Sequence, residues 1–534
     1  MKRWNDWGNE NSEYITELTD GLKMVLEALL GPSKPLPQAV LADIIKQVPS
    51  SRLPAHPLVN QDEEIRVRHS RGHSFPDWLA MRYGQIGLFP DGVALPESAD
   101  QVKELLQYAK EHDVVVIPYG GGTSVVGHIN PVAGDKPVLT VDMGKMDQLI
   151  DFDPQSQIAT FGAGAPGPTV ENQLKEKGYT LGHYPQSWEL STVGGWIASR
   201  SSGQQSLRYG RIEQMFAGGS IETLAGTLEI PTIPASSAGP SVSEMILGSE
   251  GRMGIITEAK VRVKPLPEHE SFHVVFFPSW QNGLGCVQQL AQRGIQLSML
   301  RLSNALETTS LLIMGGHPLE ALEEMLASND IGEGKVMMTF GLTGNKDQCD
   351  AAKTFTQKCY QEFGGVEGGS ELGERWEHGR FRAPYLREPL GNAGYVVDTM
   401  ETCIDWGKVD NAVDSIEKAI GSALVDENEP VYVYTHLSHV YSQGSSIYTT
   451  YLYRCCDSHD ETHKRWLKLK TAGANQIVAL GGTISHQHGV GADHRDYLLA
   501  EKGELGIDAI RSVCETFDPQ QLMNPGKLLP DARQ

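Results

Sequence analysis

Cysteine is scarce in this 534-residue sequence: there are seven, an odd number, and no two of them form a Cys-x-x-Cys pair. A disulfide framework or a zinc ribbon needs cysteines at regular spacing, so both are excluded. Long apolar runs are also missing, since no window reaches the roughly 18 consecutive apolar residues of a membrane-spanning helix. The polar beginning of the chain lacks the apolar stretch of a secretory signal, so we expect a cytoplasmic protein.

Positive charge is in the minority. Lys and Arg number 45 against 67 Asp and Glu, which gives a formal net charge of −22. Such a chain repels a phosphate backbone over long distances, so we expect no nucleic-acid partner, while a local basic pocket for a small anion stays compatible with it. The length predicts at least two domains, or one large domain with insertions.

Two strings match well-known motifs but lack the surroundings that those motifs need. Residues 162–167 have the G-x-G-x-x-G spacing of a dinucleotide-binding turn, yet the next stretch holds no acidic residue for a ribose. Residues 269–273 read H-E-x-x-H but run directly into a β-type sequence. In a strand the two imidazoles would lie about 13 Å apart, too far for one zinc ion. We therefore disfavour a nicotinamide site and reject a zinc-protease site.

The pattern of helices and strands changes along the chain. Residues 1–85 have the mixed composition of a helical lead-in. From 86 to 267, short β-type runs alternate with helices, as in the apolar stripe of residues 98–112 that precedes a buried strand. From 268 to 489, the alternation is typical of an antiparallel sheet covered by helices, and residues 490–534 are predicted to be helical. The expected fold class is α+β.

Three glycine-containing loops follow one another in the region 86–267. They comprise residues 118–124, with three consecutive glycines, residues 189–203, and residues 248–256. Glycine allows left-handed backbone angles that bring N–H groups together into an anion-binding nest. A plain β-turn is the alternative for the first loop alone, but three such loops fit an extended cofactor that carries a diphosphate.

In order and spacing, the three loops resemble the flavin-binding domain of the vanillyl-alcohol oxidase/p-cresol methylhydroxylase (PCMH) superfamily. The resemblance implies FAD held between the two lobes of a PCMH-type domain (86–267), facing an α+β cap domain (268–489), with residues 490–534 returning to the FAD domain. No histidine or cysteine stands at a recognisable tethering position, so FAD is predicted to bind non-covalently. The residues assigned to the cofactor are Pro118, Tyr119, Gly120, Gly121, Gly122, Thr123, Ser124, Pro185, Gln186, Ser187, Ser191, Thr192, Gly195, Ser199, Arg200, Ser201, Ser202, Glu250, Gly251, Gly254, Ile255 and Ile256.

The sequence further resembles one family, the alkyl-dihydroxyacetonephosphate synthases of ether-lipid synthesis. Residues 3–8, residues 185–192 and, more loosely, segments of the cap carry this resemblance. It implies that the acyl group of acyl-dihydroxyacetone phosphate is exchanged for a fatty alcohol with no net redox change. It also implies a small lipid-phosphate substrate, a peripheral contact with the membrane that holds this substrate, and a homodimer.

Five residues match active-site positions of that family. Arg301 would lie near the flavin, and Arg387 would bind the phosphate, to which a guanidinium donates two parallel hydrogen bonds. Tyr448 would remove a proton from the carbon beside the ketone, with His486 and His488 assisting proton movement. The residues alone leave other roles open: a buried ion pair for Arg301, a surface charge for Arg387, a packing aromatic for Tyr448, and ordinary loop residues for the two histidines.

One departure from the family lies between these histidines. Gln487 stands where the family has a third histidine, and glutamine cannot take up a proton at neutral pH. The alternative function is an FAD-dependent D-2-hydroxyacid dehydrogenase or oxidase, which typically binds a divalent metal through a GDGNxH and a Glu-His-Gly segment. Here Tyr448 and Gln487 replace an imidazole and a carboxylate, so we predict no metal. The tail, residues 524–527, favours the dehydrogenase branch instead.

Overall fold

The protein is described by a computed structural model that covers residues 1–12, 16–314 and 319–530. Its first part consists of helices α1 (Asp20–Leu30), α2 (Leu41–Ile45), α3 (Glu63–Arg68) and α4 (Phe75–Tyr83). Helix α4 begins at a capping box formed by Ser74 and Asp77 and ends at Gly84 in the left-handed conformation. Phe75 and Trp78 of α4 are buried against the large C-terminal sheet. The lead-in is therefore packed onto a sheet that comes much later in the sequence.

A four-stranded sheet forms the first lobe, in the order β1-β2-β4-β3. Its elements are β1 (Val59–Asn60), β2 (Gly92–Ala94), α5 (Ala99–His112), β3 (Val115–Tyr119) and β4 (Val138–Asp142). Strands β2, β4 and β3 run parallel, with β1 antiparallel at the edge. The predicted apolar stripe of α5, which includes Val102 and Leu105, is fully buried against this sheet. The glycine loop 118–124 begins at the end of β3.

A five-stranded antiparallel sheet forms the second lobe, in the order β5-β6-β10-β8-β9. Its elements, with a two-stranded ribbon of β7 and β11, are β5 (Leu149–Asp153), β6 (Ile158–Gly162), α6 (Gly167–Lys175), β7 (Tyr179–Thr180), α7 (Val193–Ser199), α8 (Ser206–Tyr209), α9 (Ile212–Met215), β8 (Phe216–Thr223), β9 (Gly226–Ile230), α10 (Ser243–Ile246), β10 (Ile255–Arg262) and β11 (Lys264–Pro265). A Cβ on Gly164 would lie 1.8 Å from the carbonyl oxygen of Met143. The glycine at position 164 of the G-x-G-x-x-G string thus allows its backbone to lie close to the backbone of Met143.

A seven-stranded antiparallel sheet forms the cap, in the order β15-β12-β14-β13-β17-β18-β16. Its elements are β12 (His269–Phe277), α11 (Trp280–Gln292), β13 (Met299–Ser303), α12 (Ala305–Met314), α13 (Leu319–Ala327), β14 (Val336–Gly344), α14 (Lys346–Glu362), β15 (Val366–Glu367), α15 (Ser370–Gly379), α16 (Arg387–Asn392), β16 (Tyr395–Asp405), α17 (Trp406–Gly421), β17 (Tyr432–Leu437), β18 (Gly444–Arg454) and α18 (His459–Leu480). The H-E-x-x-H string lies in β12, as its β-type sequence predicts.

The last part of the chain leaves the cap and packs on the two smaller lobes. Helix α19 (Leu498–Phe517) buries Leu498 and Ile507 in the core of the five-stranded sheet. Beyond it, Met523 forms a parallel bridge with Val116 of β3. The α+β fold class, with a two-lobed domain beneath an antiparallel cap, is confirmed. Among the described residues, no helix is both long and apolar enough to cross a membrane.

Candidate active site

A cavity of about 1240 Å³ lies between the two lobes and the cap. All three predicted glycine loops contribute to one end of its wall, and the cap sheet contributes the other end. Tyr448, His488, Arg301 and Arg387 line the same cavity, although they are spread over nearly 190 positions of the sequence. The structure therefore brings the predicted cofactor loops and most of the predicted active-site residues to one place.

The first glycine loop presents free backbone donors to the cavity. The N–H groups of residues 120–124 donate no hydrogen bond to any described part of the chain. The loop packs so tightly that a Cβ on Gly121 would lie 2.1 Å from the carbonyl oxygen of Leu190, and one on Gly120 would lie 2.4 Å from Thr192 Oγ1. Gly122 has φ +75°, which disfavours other residues. Unpaired N–H groups on a cavity wall are suited to bind an anion.

All but one of the residues predicted to bind the cofactor line this cavity. The exception is Arg200, which occupies the left-handed C-cap position of α7. Its guanidinium turns to the carbonyl oxygen of Leu247, at 3.1 Å, and to the carboxylate of Glu244. The structure thus places the side chain of Arg200 in a loop contact behind the wall.

Tyr448 lies in the polar wall that the cap sheet provides. In the strand register it stands between Glu401 of β16 and His436 of β17. Its ring stacks on that of His436, with centroids 4.9 Å apart, and its hydroxyl donates to Thr399 Oγ1 at 3.1 Å. Burial raises the pKa of Tyr448 to about 12, so the phenol is neutral at pH 7 in the free protein.

Arg387 is held from two sides at the start of α16. One guanidinium nitrogen donates to the carbonyl oxygen of His73 at 2.6 Å, and the other donates to Asp398 Oδ1 at 3.1 Å. The second oxygen of Asp398 accepts hydrogen bonds from Tyr451 and Trp466. Arg387 is therefore a fixed cation on the cavity wall and not a mobile surface charge.

Arg301 takes part in an ion pair and also lines the cavity. Its guanidinium donates to Glu307 at 2.7 Å and lies 3.1 Å from His436 Nδ1. Although burial raises it, the charges of Arg301 and His436 lower the pKa of Glu307 to about 2, so the carboxylate is ionised. Both interpretations of Arg301 from the sequence, a structural ion pair and a site residue, fit this geometry.

Two segments of the chain match known domain families. The profile described as "FAD binding domain" matches residues 90–229, and the one described as "FAD linked oxidases, C-terminal domain" matches residues 266–528. Together they account for more than half of the chain. Over these two segments the chain resembles the FAD-linked oxidases. It is a flavoenzyme, and FAD is its cofactor.

Whole-chain similarities are consistent with this family. The alkyldihydroxyacetonephosphate synthase of Dictyostelium discoideum is 29% identical over 99% of this chain and 86% of its own length. A solved structure of an alkyldihydroxyacetonephosphate synthase matches with a TM-score of 0.84 and 26% identity, covering 98% of each chain. The cytochrome-type mitochondrial D-lactate dehydrogenase 1 of Saccharomyces cerevisiae is 26% identical over 82% of this chain and 72% of its own length. The resemblance to the synthase family that residues 3–8 and 185–192 indicated is confirmed.

The residues of the flavoprotein fit an FAD molecule. The unpaired N–H groups of residues 120–124 would hold the diphosphate, and the loops 185–202 and 248–256 line the rest of that end of the cavity. One contributor was not predicted: Asn524 lines the cavity and donates to the carbonyl oxygens of His128 and Glu250. Its side-chain oxygen is buried without a partner among the described residues. The sequence had singled out residues 524–527 only as similar to the dehydrogenase branch, not as part of the cofactor site.

We expect the flavin to be released when the flavoprotein is denatured, because no tethering residue is recognisable in the glycine loops. His128, which follows the first glycine loop in the sequence, has its Nδ1 bonded to Ser124 and its Nε2 3.2 Å from Glu250. Precipitation with acid or heat should leave the yellow colour in the supernatant. Flavin that stays with the precipitated chain would contradict this prediction.

The two predicted histidines face different surroundings. His488 lines the cavity beside Tyr448, with ring centroids 5.8 Å apart, and its Nδ1 lies 3.3 Å from Glu401 Oε1. That carboxylate oxygen also accepts the backbone N–H groups of Gln487 and His488. Burial lowers the pKa of His488, so the imidazole is neutral at pH 7. Glu401 was not predicted from the sequence. The feature that could have identified it is an acidic residue within an otherwise β-type run.

His486 does not line the cavity. Its Nε2 accepts hydrogen bonds from Arg211, at 2.8 Å, and from the hydroxyl of Tyr441, at 2.6 Å. Burial, together with His439 and Arg211, lowers the pKa of His486 well below its usual value. The structure thus places the side chain of His486 in contacts with Arg211 and Tyr441 behind the cavity wall, and a part of either histidine in proton movement stays a prediction.

Proposed function

We propose that the flavoprotein exchanges the acyl group of acyl-dihydroxyacetone phosphate for a fatty alcohol, without net redox change. The observation that supports this is the composition of the cavity wall. One part presents the fixed cation Arg387 beside Tyr448 and His488, and another part is apolar. A substrate with a phosphate at one end and an alkyl chain at the other needs both kinds of wall.

Two helices contribute to the apolar part of the wall. Helix α1 contributes Leu22 and Leu26, and helix α12 contributes Leu311, Leu312 and Met314. Burial of an alkyl chain there would stabilise the complex by about 0.8 kcal/mol for each CH₂ group. The wall therefore favours a long-chain lipid over a short hydroxyacid.

We assign three roles to the polar part of the wall. Arg387 binds the phosphate through the donors that His73 and Asp398 leave free. In its phenolate form, Tyr448 accepts the proton from the carbon beside the ketone. The neutral His488, oriented by Glu401, passes protons between the wall and the substrate. When bound, FAD supplies an electrophilic ring that no protein side chain offers. The reaction as proposed uses no metal.

Contact with a membrane belongs to the same proposal. The two helices that line the apolar wall also carry exposed apolar side chains, namely Met24 and Leu29 on α1 and Leu306 and Ile313 on α12. Such residues around the entrance would let a lipid substrate pass from a bilayer into the cavity. The homodimer stays a prediction.

The decisive experiment mixes the purified holoenzyme with a long-chain acyl-dihydroxyacetone phosphate and a fatty alcohol under anaerobic conditions. We expect equal amounts of alkyl-dihydroxyacetone phosphate and free fatty acid, with no electron acceptor added. The yield should be the same after exhaustive dialysis against a chelator, because the proposed residues need no metal.

The alternative, a D-2-hydroxyacid dehydrogenase, is supported by the tail, residues 524–527, which packs against the FAD-binding end of the cavity. In that case a D-2-hydroxyacid would bleach the flavin anaerobically, and an electron acceptor would restore its colour. Absence of the alkyl product together with this redox cycle would overturn the proposed function.

A further inference from the structure

Residues 1–10, which we call the N-terminal hairpin, lie between the first glycine loop and the cap. Lys2 and Asn9 form an antiparallel bridge, and the hairpin is closed by backbone hydrogen bonds from Arg3 to Gly8 and from Glu10 to Met1. Neither the family role of the loops nor the proposed reaction uses this hairpin. Its two basic residues nevertheless point at both parts of the site.

Lys2 contacts the backbone of the glycine loop. Its Nζ donates to the carbonyl oxygen of Gly121 at 3.1 Å and to that of Gly120 at 3.4 Å, and it lies 5.0 Å from the centre of the Tyr119 ring. Burial lowers the pKa of Lys2, and the charge of Asp142 opposes this effect. A cation in such surroundings is stabilised by the carbonyl dipoles and the aromatic face.

The orientation of the peptide planes follows from this contact. No peptide bond among the described residues is cis. In a trans peptide the C=O of one residue and the N–H of the next point in opposite directions. With the carbonyls of Gly120 and Gly121 directed at Lys2, the N–H groups of Gly121 and Gly122 point away from it. These are among the N–H groups that line the cavity without an acceptor.

We propose that Lys2 is a positioning residue for the cofactor: its ammonium group holds two carbonyls of the glycine loop so that the opposite N–H groups are presented to the FAD diphosphate. Glycine is the residue that loses most freedom when it is ordered, so a loop of three glycines gains most from such a fixed partner. Because the contact with Lys2 already orders the loop in the free protein, less conformational entropy is lost when FAD binds, and the binding is stronger.

The rest of the hairpin keeps Lys2 in place. Arg3 makes a bidentate ion pair with Glu388 of the cap, at 2.7 and 2.9 Å, and Glu388 follows the phosphate-binding Arg387 in the sequence. Arg68 of α3 donates to the carbonyl oxygen of Lys2 at 2.8 Å. The hairpin thus connects the cofactor loop to the cap through consecutive residues.

The test measures FAD binding to the full-length apoprotein by titration of flavin fluorescence, without any turnover. We expect Lys2→Met to raise the dissociation constant of FAD by about tenfold or more, because charge-assisted hydrogen bonds to the loop are lost. Lys2→Arg, which keeps charge and donors, should stay within about threefold of the wild type. The matched control is Lys46→Met, since Lys46 is exposed and only pairs with Asp43.

Two outcomes would overturn the proposal. One is a folded Lys2→Met apoprotein, judged by circular dichroism and its melting temperature, that binds FAD as tightly as the wild type. If Lys2→Met does not fold, Arg68→Met takes its place, because Arg68 holds the hairpin through the carbonyl oxygen of Lys2 and the carboxylate of Glu10. An unchanged FAD dissociation constant in this variant is the second outcome. Because FAD binding alone is measured, failure of this proposal is distinct from failure of the synthase reaction.

Discussion

Replacement of Tyr448 by phenylalanine is expected to lower turnover by about 100-fold or more, with FAD content unchanged. The variant removes only the hydroxyl that donates to Thr399 and keeps the ring that stacks on His436. The free energy of unfolding should fall by no more than about 1–2 kcal/mol. A steady-state assay of alkyl product measures this turnover, with flavin absorbance giving the amount of holoenzyme.

Tyr432→Phe is the matched control for this variant. Tyr432 lies on β17 of the same sheet, does not line the cavity, and its hydroxyl contacts Ser310 and the carbonyl oxygen of Leu306. Its loss removes one hydroxyl from the cap without touching the site, so turnover should stay near the wild-type value. Near-wild-type turnover in Tyr448→Phe itself would show that Tyr448 is only part of the wall.

The pH profile gives a second measure of Tyr448. Since burial raises its pKa to about 12, the phenolate fraction is small at pH 7 and increases about tenfold for each pH unit below that pKa. If the phenolate accepts the substrate proton, kcat/KM of the wild type should rise with pH between about 6 and 9. The rise should be absent in Tyr448→Phe. A flat wild-type profile would indicate that Tyr448 acts as a neutral hydrogen-bond donor.

The second large effect is expected at Arg387. Arg387→Met removes the cation that pairs with Asp398, and it removes the donors for the substrate phosphate. Hydrogen bonds between charged groups contribute about 1.5–3 kcal/mol each, so kcat/KM should fall by about 100-fold, mainly through KM. The kcat/KM of Arg387→Lys should lie between those of the wild type and of Arg387→Met, because lysine keeps the charge but not the planar guanidinium.

Arg293→Met serves as the control, because Arg293 is exposed at the end of α11. FAD content and melting temperature are measured in parallel, because Asp398 is left without its cationic partner while Tyr451 and Trp466 still donate to it. A folded Arg387→Met holoenzyme with an unchanged KM for acyl-dihydroxyacetone phosphate would contradict the assignment of Arg387 to the phosphate.

Features with a local cause could be predicted from the sequence. The apolar stripe of α5 and the β-type run after His269 depend on periodicities of a few residues, and both elements form as expected. The glycine loops depend on a backbone that only glycine tolerates, as at Gly121, and they line the cavity. Together with the resemblance of the glycine loops to a flavin-binding family, these patterns were sufficient for the fold class and the cofactor.

The tertiary structure alone decided how the catalytic end of the cavity is arranged. Glu401 reaches Tyr448 through the pairing of β16 with β18, and His486 is turned from the cavity by Arg211, 275 positions away. The place of the N-terminal hairpin depends likewise on contacts of Lys2 with residues nearly 120 positions further on. Strand register and long-range hydrogen bonds leave no periodic trace in a single sequence, because each depends on how distant segments pack.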